Sequence, residues 1–335
     1  MVENYAPDRS IHGVPTGTTA FLSPPSYPAG HFTSLAGFRR LYSTNQDPFA
    51  LSVAAFFLNG GQSLFISPNL TDFEQIPDIS LVAAPGTPPS ADLAQSLIAH
   101  CEQMRYRLAI LDSPPSLDLT TIEAFRKPFD SSRAALYYPW VKTAAAVLPP
   151  SAFAAGICAR TPANKAPASE PIAGATGLEA DITTAQQDIL NPAGINLLRT
   201  FPGRGIRVWG ARTLSSDPAW KYVNISRYVA FLEDSIQKGT QWVVFEPHGE
   251  ALRNQAKQTI SDFLLNEFRS GALLGDKPEK AFFVKCDRTT MTQDDLDNGR
   301  LICEIGIAPL RPAEFIIIRI SQWTADHKPC CPPQS

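Results

Sequence analysis

Phosphate binding, metal ligation and hydrolysis each need particular residue types at set spacings, and this chain holds a fragment of each pattern. Gly203 and Gly205 could begin a dinucleotide-binding turn, but Val208 stands where the fingerprint needs its third glycine, and Gly210 comes too late. No GxxxxGK run exists to cradle phosphates, and GxSxG and HExxH are absent too. The five histidines, His12, His31, His100, His248 and His327, fall in separate segments. Asp294, Asp295 and Asp297 with Asn298 and Gly299 have the composition of a calcium loop. With Gly299 as the turn glycine, however, Leu296 takes the third ligand position and Ile305 the twelfth. These carboxylates read better as the first turn of a short helix, where the backbone dipole favours them. His327, Cys330 and Cys331 lie on a tail of Lys, Pro and Gln and read as tail, not as a zinc clip. The expectation is no catalytic residue, no cofactor and no metal.

The totals agree with a chain whose surface meets protein. Its 335 residues allow about two domains at roughly 100 to 200 residues each. Charged residues make up 18%, below the roughly 25% of an average soluble domain, so an unusual share of the surface is uncharged. A net charge of -3 and the lack of any Lys/Arg run argue against nucleic acid. No stretch reaches the roughly 20 apolar residues that cross a bilayer, and the strongest, 315–320, is broken by Arg319. Residues 1–10 carry Glu3 and Asp8 and lack an apolar core, so no secretory signal is expected and synthesis should end in the cytoplasm. The six cysteines form no CxxC pair and read as reduced thiols.

The elements that must position any site are punctuated by 30 prolines. Pairs at Pro24/Pro25, Pro88/Pro89, Pro114/Pro115 and Pro149/Pro150 read as loops. Strands are expected over 18–22, 64–67, 108–111 and 134–138. A helix over 48–58 has Asp47 as cap and Pro48 at its first position, and Ser90 caps another reaching about Tyr106. Residues 160–187 read as a long ordered loop, followed by strands over 194–199 and 206–209. From Arg227 a helical face of Tyr228, Val229, Leu232 and Ile236 opens a second domain. That domain continues with a strand at 241–245, a helix at about 249–269 and a strand at 281–286. Thr292 begins a short capped helix, and closing strands are expected over 301–307 and 313–323. The fold class is thus mixed α/β, with units over 1–22, 23–224, 225–310 and 311–335.

The final strand is the clearest interaction element. Ile316, Ile318 and Ile320 point to one face, with Phe315 and Ile317 on the other, and Glu314 and Arg319 are the charged members. Leaving it uncovered would forfeit roughly 10 kcal/mol, so it must lie inside a sheet. That sheet is either its own subunit's or a neighbour's open edge.

The stretches Leu190-Asn191-Pro192-Ala193-Gly194-Ile195-Asn196 and Trp209-Gly210-Ala211-Arg212-Thr213-Leu214 closely resemble the signature of contractile tail sheath proteins. So do Lys221-Tyr222-Val223-Asn224, Gln241-Trp242-Val243-Val244-Phe245-Glu246-Pro247, Thr292-Gln293-Asp294-Asp295 and Pro312-Ala313-Glu314-Phe315. The resemblance is strong over about 135–323 and looser before it. It implies a two-domain subunit with extended terminal arm strands, hexameric rings stacked helically around an inner tube, and baseplate and cap proteins at the ends. Arm strands would complete a sheet in neighbouring subunits. These are Glu314 to Ile320 at one end and the region of Val2 and Tyr5 at the other. In such proteins a helix of the second domain grips the tube, which here makes Arg253 and Lys257 the candidate contacts, against the alternative of a solvated helix face. Only residues 1–12 precede the Gly13 region, shorter than the arm such proteins commonly carry. The expected function is a structural, contracting sheath subunit. The alternatives are a specialised ring or adaptor near baseplate or cap, and, more remotely, an α/β enzyme.

Overall fold

Short apolar runs bounded by polar turns build a twisted parallel sheet in the first two thirds of the chain. The structure, a computed structural model, describes residues 10–13, 17–42 and 47–314. In order they form β1 (Thr18–Leu22), β2 (Gly30–Phe32), α1 (Leu35–Leu41), α2 (Pro48–Leu58), β3 (Leu64–Ser67), β4 (Ile79–Ala83), α3 (Ala91–Met104), β5 (Leu108–Asp112), α4 (Leu119–Arg126) and β6 (Ala134–Tyr138). Then come β7 (Val141–Lys142), β8 (Val147–Leu148), α5 (Pro150–Arg160), β9 (Gly177–Leu178), α6 (Thr184–Leu190), β10 (Ile195–Phe201) and β11 (Gly205–Trp209). The last third holds α7 (Val223–Gly239), α8 (Glu250–Arg269), α9 (Pro278–Ala281), β12 (Phe282–Lys285), α10 (Gln293–Asp297) and β13 (Glu304–Ile307).

Eight strands run in the order β11-β10-β6-β5-β4-β1-β3-β2. The inner six are parallel, and β11 and β2 close the edges antiparallel. Both faces are covered, which is why the central strands are apolar throughout and do not alternate. Phe21, Leu108 and Ile110 face α2 and α5 with Phe56 and Phe153, whereas Ala20, Ala109 and Leu111 face α3 and α4 with Leu97 and Ile122. A smaller core joins α7, α8 and the β12–β13 hairpin through Tyr228, Leu232, Ile260, Phe263, Leu264 and Val284. Ile11 also packs into it.

Several expectations change. Pro149 separates β8 from α5, but Pro150 already belongs to the helix as its first residue, where its missing N–H costs nothing. Residues 241–245 form no strand but a single 3-10 turn over Gln241–Val243 at the corner between α7 and α8. The 160–187 loop contains β9, paired to β7, and ends at a Thr183/Gln186 capping box that starts α6. The second-domain helix begins at Val223, ahead of Arg227, and β13 begins only at Glu304. The strand of Phe315, Ile316, Ile317, Ile318, Arg319 and Ile320, and the arm residues Val2 and Tyr5, lie outside the described residues.

Candidate assembly interface

The chain leaves the second core at Leu310, and polar side chains between β11 and the first turn of α7 receive it. Asn224, in the first turn of α7, donates to the Leu310 carbonyl at 3.0 Å. Four residues later Glu314 meets Arg212, with Nε to Oε1 at 2.8 Å and Nη2 to Oε2 at 2.7 Å. Tyr222 donates its hydroxyl to Oε2 at 3.1 Å, and Lys221 Nζ stands 3.5 Å from the same oxygen. The Arg212 and Glu314 side chains are 7% and 14% exposed, so this is a shielded pair and not a surface one. Burial pushes the Glu314 carboxyl up, but the hydrogen bond and charge of Arg212 outweigh it, and the group stays below the ordinary glutamate range.

Arg212 is aimed by its backbone. Asn196, on β10, accepts the Arg212 amide at 2.6 Å and donates to its carbonyl at 2.7 Å. A Cβ at Gly210 would stand 3.0 Å from Asn196 Cα, so a bare backbone there lets the two segments close. The sequence stretches around 191–196, 210–214, 221–224 and 312–314 therefore meet at one point, which roots the last described residues. Sequence reading singled out Glu314 but missed Arg212, Tyr222, Asn196 and Asn224. The signal available was that all lie inside the family-like motifs.

Beside this root the β12–β13 hairpin pairs only with itself among the described strands. Its outward side shows Phe283, which is 58% exposed. An unpaired edge beside exposed apolar side chains is a template for strand addition. On α8, Leu252, Ala256, Ile260, Phe263 and Leu264 are buried, Lys257 is exposed and Arg253 is half-buried on the side near Cys286. The corner between α7 and α8 displays Val244 and Phe245, the latter fully exposed and with a positive φ of 71°. Among the described residues no cluster of His, Cys, Asp or Glu could hold a metal ion, and no helix is long and apolar enough to cross a membrane.

The relatives of this chain share its architecture. Residues 74–214 match the phage tail sheath protein central domain and residues 215–322 the phage tail sheath C-terminal domain. The structure superposes on a chain of an extracellular contractile injection system, the PVC sheath complex in its contracted state, with a TM-score of 0.85 and 30% identity over 93% of both chains. This chain belongs to the contractile tail sheath family. The sheath fold also matches a chain from the anti-feeding prophage baseplate in its contracted state, with a TM-score of 0.86 and 30% identity over 96% of this chain and 97% of that one. Among curated relatives, the tail sheath protein of Burkholderia phage BcepMu is 30% identical over 225 residues, 58% of this chain and 45% of its own length. A prophage major tail sheath protein of Pseudomonas aeruginosa is 28% identical over 265 residues, 73% of this chain and 66% of that protein. The sheath chain thus spans less than two thirds of the length of these phage relatives. Its family is one of structural proteins, and the α/β enzyme alternative falls with that membership.

Proposed function

We propose that this protein is the repeating subunit of a contractile sheath, which assembles as stacked hexameric rings around an inner tube and shortens to drive that tube through a target envelope. The observation that carries the reading is the match along 93% of the chain to a sheath captured in its contracted state. The packing of the last described residues supports it: Glu314 is pinned by Arg212, and the β12–β13 hairpin pairs with no other described strand. Residues Glu314 to Ile320 add a strand to a neighbour's hairpin, and the Val2 and Tyr5 region adds another. Main-chain bonds supply affinity and the isoleucine face supplies register. Contraction is rigid-body motion of subunits that stay tied by these strands. The driving free energy is set by better interfaces in the contracted lattice and is held back by a kinetic barrier. Arg253 and Lys257 face the tube, and baseplate and cap proteins bound the stack. The subunit is made in the cytoplasm and works in a phage-tail-like particle.

Purified protein imaged by negative-stain electron microscopy should show hollow tubules, and a chain lacking residues 313–335 should stay dispersed. Tubules formed equally well without that segment would defeat the strand-donation reading. A second reading, a specialised ring at the baseplate, is favoured by matches to chains in two anti-feeding prophage baseplate structures, one of them six-fold symmetrised. It predicts single closed rings instead of tubules in the same images.

A further inference from the structure

Two thiols face each other across the base of the β12–β13 hairpin. The strands are antiparallel, with Lys285 opposite Glu304, so the next pair outward is Cys286 opposite Cys303. The Ala308 amide donates to the Ala281 carbonyl at 2.8 Å, which marks 281/308 as a hydrogen-bonded pair. Pairs alternate along an antiparallel ladder, so 283/306 and 285/304 are bonded pairs, while 286/303 falls at a non-bonded position. At such positions the Cα atoms approach to about 4.5 Å and the side chains lie closest, within the range a disulfide spans. Both sulfurs point to the core side of the hairpin, the face shared with Phe282, Val284 and Ile307. Cys286 is buried and Cys303 half-buried, so the pair is reached past Cys303. The other two cysteines of the described residues are different: Cys101 and Cys158 are buried in the sheet domain, and burial pushes the Cys101 thiol up to about 12.

We propose that Cys286 and Cys303 form a redox pair that a peroxide converts into a cross-strand disulfide, locking the base of the β12–β13 hairpin. Cys286 is the attacking sulfur. The adjacent Cys303 thiol holds its thiol below the ordinary range against burial and Asp287, and Arg253 and Lys257 on α8 pull the same way. Its thiolate displaces hydroxide from hydrogen peroxide, forming a sulfenic acid, and the hydroxide takes up a proton to leave as water. The Cys303 sulfur then attacks the Cys286 sulfur. The S–O bond breaks, the S–S bond forms, and the Cys303 proton leaves with the hydroxyl as a second water. One peroxide is reduced to water as two thiols are oxidised. The bond closes the 287–302 segment, which holds α10, into a covalent loop and so restrains the unfolded chain. The proposal rests on hairpin geometry alone and stands whether or not the sheath assembles.

The test uses the full chain with Cys330→Ser and Cys331→Ser, so that tail thiols do not compete. After brief hydrogen peroxide treatment, the remaining thiols are alkylated and the protein is digested without reductant for mass spectrometry. The expected result is a joined peptide linking Cys286 to Cys303, loss of alkylation at both, retained alkylation at Cys101 and Cys158, and full reversal by dithiothreitol. With Cys303→Ser added, Cys286 should be captured as a sulfenic acid by dimedone. Recovery of both thiols as alkylated peptides, or oxidation of Cys286 beyond sulfenic acid while Cys303 stays free, would overturn the proposal.

Discussion

Asp112, the last residue of β5, accepts the Ser151 amide at 2.7 Å and the Ser151 hydroxyl on its other oxygen, so a strand end caps the first turn of a helix that begins far along the chain. Position Pro149, which precedes α5, has no side chain able to do this, and the carboxylate supplies the missing acceptor from another element.

That burial sets a pH dependence. Desolvation, opposed by the two Ser151 hydrogen bonds, raises the Asp112 pKa from 3.8 to about 7. The folded value lies above the unfolded one, so this site's contribution is complete below 3.8 and is lost as pH rises through about 7. Asp112→Asn, which cannot ionise, should gain on the natural protein by roughly 3 kcal/mol between pH 5 and pH 8. Urea unfolding of both proteins at the two pH values checks it. A constant difference would rule it out.

Glu314→Ala leaves the Arg212 guanidinium buried beside Lys221 without its counter-ion. Removing one partner of such a pair costs about 3 to 5 kcal/mol, although Glu314 lies at the margin of the domain and solvent entry places it at the low end. Denaturant unfolding gives the stability loss. Glu314→Gln, which keeps two of the hydrogen bonds, should recover part of it, and both variants should form fewer and shorter tubules.

Helices α2 and α5 cross at Gly156, where an added Cβ would sit 2.5 Å from the Phe56 carbonyl and 2.9 Å from Asn59 Cβ. Neither can swing aside, so Gly156→Ala must part the helices and should cost about 1 to 3 kcal/mol. Gly203, in the turn joining β10 and β11, has open space around it but a φ of +70°. There Gly203→Ala should cost roughly 1 kcal/mol through backbone strain alone. Calorimetric midpoints that rank the two variants the other way would refute this.

Arg253→Glu with Lys257→Glu reverses the charge on one side of α8 while leaving the buried Leu252, Ala256 and Ile260 face intact. Folding and self-association should be unchanged, whereas co-sedimentation with inner-tube protein should drop by tenfold or more at low salt and the natural protein's binding should weaken as salt is added. Equal binding by the double variant would assign these cations to solvent.

Local physics was legible in the chain itself. Asp47, Ser90 and Thr292 cap α2, α3 and α10 as their side chains require, and the apolar runs at β1, β3, β5 and β6 are strands because both faces are buried. These outcomes depend on neighbours a few residues away, and the family resemblance lay in the same short stretches. What depended on distant partners was decided only by the fold. Pro150 starts α5 with its first turn capped by Asp112 from another strand, and the 241–245 segment, apolar enough for a strand, instead forms a 3-10 turn over Gln241–Val243. Arg212 finds Glu314 across 102 residues of sequence, and Cys286 finds Cys303 through strand register. No local rule encodes either meeting, because each is fixed by how the chain packs and not by what stands next to the residue.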